Sequence, residues 1–507
     1  FIGRVALGQN SQSLDNPFRL GVASGAPRSD GFVLWTRVAP DPLSTDTEMI
    51  GGMHGGSVAV SYEVAADSRM KDIVRRGTVL ADASFAYSVH LEVDGLQAGR
   101  NYWYQFRIDD AFSRVGRAIT LPAEGHNLNS LRIGFVSCSN YETGYFSAYR
   151  HLADEQPDIA IFLGDYIYEG LFQRGPKVRS HSDGVPATTL ATYRNRHAQY
   201  KLDPDLQRLH AEVPSIITWD DHEVQNDYAD KWSETFDDPQ NFLIRRAAAY
   251  QAYYEHMPLR PSLSRLIGST MRIYDRFKFG SLAEFSVLDG RQYRSREACY
   301  EPPKKGGGHL ETRSGCAELF ATDRTMLGQA QEDWLFDGLA RSQSQWNFLA
   351  QDVLMARFRQ GMDSNEYAYW TDVWDGYPES RSRLMNHLRE AKVRNPVVMS
   401  GDIHSFWAND LKLNADDDKS PVVATELVGT SVSSPGPNYE LYSKYVPNNP
   451  HVKFFESRMR GYVFLEISEK QVDVHFRTVS DVTNPESTVS TLMNYTIEDG
   501  RPGVLPA

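Results

Sequence analysis

The sequence predicts an α/β protein, a layered sheet with helices on its faces, preceded by a separate all-β module. Three observations predict it. Up to about residue 122, short β-branched and aromatic runs follow one another with turns between them. From residue 131, apolar strands alternate with amphipathic helices. Between the two lies PAEGHNLNS, residues 122–130, a polar stretch at which the composition changes and which reads as a linker. At 507 residues and 41% hydrophobic content the chain is long enough for two or three domains, each with its own core.

In the first region GFVLWTRV, SVAVSYEV, AYSVHLEV and NYWYQFRI show partial alternation of apolar and polar positions. The segment VDGLQAGRNYWYQFRI adds a leucine, a glycine turn and alternating Tyr102, Tyr104 and Phe106, the pattern that closes many fibronectin-type sandwiches. Residues 1–122 are therefore expected to form a β-sandwich without chemistry of its own. In the second region LRIGFVSCS leads into the helical GYFSAYRHLADEQ and then the strand DIAIFLGD. PSIITWDDHE, LAEFSVLDGRQYR, WNFLAQDV and NPVVMSGDIH read as further strands, with NFLIRRAAAYQAYYEHM and SRSRLMNHLREAKV helical between them. Residues 131–507 are expected to be the catalytic domain.

Five of these strands run directly into metal-ligand residues, at the position where open α/β sheets place their active sites. They supply Cys138 and Asn140; Asp165 and Tyr168; Asp220, Asp221, His222 and Glu223; Gln351 and Asp352; and Asp402 and His404. Beside Gly164, Asp165 can turn both carboxylate oxygens outward and bridge two cations. Asp402 and His404, two apart on an extended segment, are expected to point to one side.

Composition excludes several classes. Acidic residues outnumber basic ones by 66 to 53, the formal charge is −13, and no basic run tracks a phosphate backbone, which excludes duplex nucleic acid as a partner. No stretch approaches the roughly 18 consecutive apolar residues of a membrane span. The chain begins with Phe1 rather than Met, which leads to the expectation of a removed targeting peptide and a secreted or periplasmic protein. Of the three cysteines, Cys299 and Cys316 flank a Pro/Gly-rich loop and are expected to form a disulfide, implying an oxidising compartment. Cys138 is then the odd thiol, either a small buried hydrophobe or a ligand.

The order of motifs resembles the calcineurin-like metallophosphoesterases, and closely the PhoD-type alkaline phosphatases and phosphodiesterases. The resemblance rests on a cysteine after the first strand, GDYIYE, WDDHE, a late GDIH and the early NPFRLGVASGAPRSDGFVLWTRV, and covers about residues 17–480. It implies a four-layer α/β/β/α sandwich, hydrolysis of phosphate monoesters or diesters at alkaline pH, one ferric iron with one or two calcium ions, and twin-arginine export. The implied substrate is a phosphate-ester small molecule, a phosphodiester polymer or a lipid headgroup.

Residue chemistry fits those metals. Against the common pattern of the superfamily, Cys138 stands where the first carboxylate would be, Asp221 replaces an Asn and Asp402 replaces a His, so one subsite moves toward oxygen-loving Ca²⁺. The other gathers Cys138, Tyr168, the shared Asp165 and His404, a set with three anionic donors that suits Fe³⁺. Tyr168 follows Asp165 by three residues, as in the purple acid phosphatases, which the site also resembles. The expected mechanism is direct attack on phosphorus by a metal-bound hydroxide, with His222 stabilising the phosphoryl oxygens or protonating the leaving oxygen. Asn140 is a candidate contact to phosphate or metal. Gln351 is either a further calcium ligand or a hydrogen-bonded core amide. Arg291 and Arg294 either neutralise a phosphate or cap a strand edge, NEYAYWTDVWDGYP, residues 365–378, either lines a cleft or packs a helix onto the sheet, and RMRGY, residues 458–462, offers Arg458 or Arg460 to the cleft. The competing function is a non-catalytic calcium-binding adhesion protein, for which thiolate, phenolate and imidazole have no use.

Overall fold

The computed structural model describes residues 16–44, 46, 48–172, 177–266, 271–363 and 366–507. Residues 1–15 of the expected β module and Asn365 of the aromatic stretch lie outside these.

Two large sheets share one core. In the first, Ser130–Val136, Ile159–Leu163 and Ser215–Thr218 pair in parallel; in the second, Ala283–Val287, Trp346–Ala350, Pro396–Ser400 and Val422–Val428 do the same. Parallel strands covered on both faces read as continuous apolar runs, and IAIFL, buried at all five positions, is such a run. Alternate residues then go to opposite sides. Ile159, Ile161 and Leu163 meet Phe285, Phe348, Val397 and Met399 of the second sheet in a common core. Ala160 and Phe162 turn instead to Tyr149, Leu152, Tyr193, Leu209 and Tyr250 on helices Ser147–Asp154, Leu190–Lys201, Pro204–Glu212 and Pro239–His256. On the second sheet Leu349, Val398 and Val428 turn to Leu335, Leu339, Leu384 and Leu388 of helices Gln329–Arg341 and Pro378–Glu390. Two of the helix starts are written locally: Asp203 and Asp238 cap backbone N–H groups and are each followed by proline at the first helical position.

The sequence break at 122–129 is irregular chain. Beyond the expected boundary, however, the first sheet continues. Strands Val22–Gly25, Phe32–Arg37 and Ser88–Val93 join it through a parallel pairing of Gly25 with Ser215, giving a ten-stranded sheet. The remaining N-terminal strands make a five-stranded sheet, and both pack on Val60, Val64, Tyr104 and Phe106, so the N-terminal sandwich borrows one wall from the large sheet. At the other flank Arg460–Ser468, Gln471–Val479 and Val489–Glu498 complete it, the first antiparallel to Ser130–Val136. Among the described residues no helix is long and apolar enough to cross a membrane.

Candidate metal centre

Every ligand-bearing strand end opens on the same side, beyond the carboxyl ends of the parallel strands. There the chain leaves the extended conformation abruptly: Cys138, Asp165, Asp402 and His404 all have positive φ, between 50° and 62°. Such left-handed backbone in residues with a Cβ costs about 1–3 kcal/mol each and gathers at functional sites. Gly164, at φ 98°, lets the turn form; a Cβ there would stand 2.3 Å from Asp220.

Three groups of ligand atoms lie within 4.8 Å of one another: Cys138, Asp165 and His404; Asp165, Asp221 and His222; and Asp220, Asp221 and Asp402. Asp165 belongs to the first two and Asp221 to the last two, so the groups form one continuous centre. Tyr168 completes the first, its Oη 2.8 Å from Asp165 Oδ2 and 2.9 Å from His404 Nε2. His404 Nδ1 donates to Pro435 O at 2.8 Å, which leaves the Nε2 lone pair for this group. Asp402 and His404 therefore serve opposite ends. The expectation that an extended segment would point both to one side is corrected by their left-handed backbone, because strand Pro396–Ser400 has ended.

The acids of this centre crowd one another away from water. Burial pushes the Cys138 thiol and the Tyr168 phenol well up, with Asp165 adding to both. Burial likewise raises Asp165, Asp220 and Asp402, neighbouring carboxylates contributing. Asp221 is the exception: burial opposes its ionisation, but Arg291 and His222 outweigh it and hold it low. Asp220 Oδ2 and both oxygens of Asp352 are buried without a hydrogen-bond partner. Thiol, phenol, imidazole and carboxylates around one centre are a donor set that could hold metal.

The other expected site residues divide. His222 packs against Tyr168 with ring centroids 4.1 Å apart and the planes tilted by 34°, and its Nδ1 is bonded to Glu169 Oε2 at 2.7 Å. Burial works against its charge, yet Glu169, Asp165 and Asp221 prevail and push the imidazole above its ordinary range. Asn140 is buried beside Cys138, its Oδ1 accepting from Glu142 N at 2.9 Å. Gln351 is not brought to the centre as a ligand: its Oε1 accepts from Trp374 Nε1 and Val353 N, and its amide donates to Ser400 Oγ and Val353 O, so the core-amide alternative is the one the geometry gives.

Arg291 neither meets a cleft nor caps an edge. Fully buried, it binds Asp220 Oδ1 at 2.5 Å and Asp372 Oδ1 at 2.7 Å, with Nη2 3.8 Å from both Asp221 and Asp402. Arg294 joins it on Asp372 at 2.6 Å. The aromatic stretch likewise mostly packs, Trp374 and Tyr377 entering the core of the second sheet.

The sequence pointed to no role for Glu169, offered Glu223 only as a candidate metal ligand and did not single out Ser434. Glu223 receives N–H bonds from Asp165, Tyr166 and Asp220, clamping two strand-end turns together, and burial pushes it up to about 8. Both glutamates end quoted motifs, GDYIYE and WDDHE, which was the available signal. Ser434, whose Oγ lies 2.8 Å from Tyr168 Oη, carried none. The disulfide is present between Cys299 and Cys316, leaving Cys138 free. Its loop reaches the centre indirectly: Gly308 N donates to Asp227 Oδ2, and Asp227 N donates to Asp221 Oδ2, each at 2.7 Å.

Known proteins carry the same architecture. Residues 133–476 match the family described as PhoD-like phosphatase, and residues 4–122 match the N-terminal domain of PhoD-like phosphatases. The chain belongs to the PhoD-like phosphatase family. Alkaline phosphatase D of Bacillus subtilis (strain 168) is 42% identical over 495 residues, covering 96% of this chain and 82% of that protein. A solved structure of PhoD superposes with a TM-score of 0.91 at 41% identity, over 98% of this chain and 93% of the other. The resemblance read from GDYIYE, WDDHE and GDIH is thereby borne out, and this PhoD-like phosphatase is an enzyme.

Proposed function

We propose that the protein is an exported, metal-dependent phosphoester hydrolase, active on monoesters, diesters or both at alkaline pH, with iron and calcium in one centre. The observation that carries the reading is the sharing of Asp165 between the Cys138/His404 group and the Asp221 group. Cys138, Asp165, Tyr168 and His404 would hold Fe³⁺; Asp221, Asp402 and the shared Asp165 would hold Ca²⁺, with Asp220 beside them. Bound there, such ions supply Lewis acidity to the phosphoryl oxygens and acidify a water for in-line attack. The two packed sheets with helices outside them fit the four-layer α/β/β/α sandwich expected of the superfamily, and the disulfide fits export into an oxidising compartment.

The chain's own residues supply the rest. Glu169 holds Nδ1 of His222, so the proton available to a leaving oxygen sits on Nε2. Contact with the tilted ring of Tyr168 limits the movement of the imidazole. Asn140 would contact a phosphoryl oxygen through its amide N–H. Arg291, bonded to Asp220 and Asp372, keeps part of the acidic nest neutral without occupying the mouth.

Metal content measured by inductively coupled plasma mass spectrometry on protein purified without chelators tests this, with hydrolysis of p-nitrophenyl phosphate and bis(p-nitrophenyl) phosphate at pH 9. Iron near one per chain, calcium, and turnover of at least one substrate are expected. Zinc or manganese in place of iron overturns the assignment of Cys138 and Tyr168. Bound metal with neither substrate turned over favours the calcium-binding reading.

A further inference from the structure

The start of the strand Arg460–Ser468 carries a buried arginine that the chemistry above does not use. Its Nη1 donates to His404 O at 2.8 Å, Ser434 O at 2.6 Å and Ser431 Oγ at 2.8 Å, and its Nη2 donates to Ser457 O. Among the described residues it forms no ion pair; the nearby Glu456 is engaged by Arg458 at 2.6 Å. A buried guanidinium satisfied only by carbonyls and a hydroxyl gains little over water. Its geometry has a different use.

The groups it ties together belong to separate turns. One carries His404. The other, Ser431–Ser434, continues to Pro435, whose carbonyl receives His404 Nδ1, while Ser434 Oγ lies 2.8 Å from Tyr168 Oη and 2.9 Å from Cys138 O. Gly461 N adds a bond to Ser431 O at 3.0 Å. The packing leaves no slack: a Cβ on Gly436 would stand 2.2 Å from Ser457 O and 2.6 Å from Nη2 of the arginine.

We propose that Arg460 is the positioning residue of the Cys138, Asp165, Tyr168 and His404 subsite, locking the His404 turn to the serine turn so that imidazole and phenol converge on one cation. The inference rests on the reading that this subsite holds metal. His404 has left-handed backbone and its strand has already ended, so its ring direction depends on such ties. Groups that orient a ligand from behind typically contribute 10–100-fold to metal affinity or activity.

Arg460→Met and Arg460→Lys, purified without chelators, test it against the unaltered protein. The readouts are metal content, rate of metal loss to EDTA, and hydrogen exchange of residues 402–406 and 431–437. The methionine variant is expected to lose its transition metal about 10–100-fold faster while exchange rises in both turns. Lysine keeps the charge but not the fork and is expected to fall between, with kcat lowered more than KM. A folded methionine variant with unchanged metal retention and exchange overturns the proposal. Should methionine fail to fold, lysine decides: retention equal to the unaltered protein overturns it. A wild-type protein without transition metal sinks the functional reading instead, and exchange in the two turns still tests the tie.

Discussion

Lys201 closes the helix Leu190–Lys201 with its ammonium inside the protein, 1% exposed and without a hydrogen-bond partner. It lies over the rings of Trp35, at 4.4 Å, and Tyr166, at 5.3 Å. Three histidines feel its charge, His197, His210 and His256, each pushed down chiefly by burial, and Arg37 is bonded to His256. Burial alone drives Lys201 down from 10.5 to about 7. Between those values the unfolded chain holds a proton the native protein lacks, so stability rises with pH. At 1.36 kcal/mol per pH unit the interval from 10.5 to about 7 amounts to about 5 kcal/mol, a cost fully present below pH 7 and gone by pH 10.5. Lys201→Met removes it. Urea unfolding at pH 6, 8 and 10 is expected to show the variant more stable by about 3–5 kcal/mol at pH 6, with the gain shrinking steadily to near zero at pH 10. A gain that does not vary with pH, or a loss at pH 6, would refute the reasoning.

Four further outcomes are expected. Glu169→Gln keeps the hydrogen bond to His222 but not the charge, and should lower kcat about 10–100-fold with circular dichroism and metal content unchanged; full activity would remove His222 as the acid. Asp165→Asn, taking a ligand from both halves of the centre, should abolish turnover and reduce both metals together when the variant's metal content is measured. Chelation of the intact protein should lower its melting temperature by several degrees, because carboxylates that burial destabilises lose their counter-charge; an unchanged melting temperature would count against bound metal. Cys299→Ser should cost about 3 kcal/mol in urea unfolding, the loop-closure term for a loop of this size. On the proposed reading that Asp221 holds calcium, it should also weaken calcium binding through the Gly308–Asp227–Asp221 relay, read by isothermal titration.

The parallel strands were legible because burial on both faces writes an uninterrupted apolar run, and the residue types after Ile161, Ile217 and Val398 then announce the ligands. Motif order supplied Cys138, Asp165, Tyr168, Asp221, Asp402 and His404, all of which the fold gathers. What stayed hidden depends on distant partners. Whether Gln351 faces metal or core is decided by Trp374 and Ser400, neither of which is its neighbour in sequence. Arg291 reads the same whether it meets phosphate or Asp372. Ser434 is one serine among several in TSVSSPGPN until the fold sets it against Tyr168. The pairing of Gly25 with Ser215 could not be read from strands that each look complete alone.

That pairing gives the N-terminal region a task besides packing. Without Val22–Gly25, Phe32–Arg37 and Ser88–Val93, the large sheet would end on this side at Ser215–Thr218, all four of whose residues are buried in the intact protein. An uncovered apolar strand of this kind is a template for joining another chain. The strands Val22–Gly25, Phe32–Arg37 and Ser88–Val93 thus shield that edge, and a chain begun at residue 123 is expected to be recovered as aggregate rather than as a smaller enzyme.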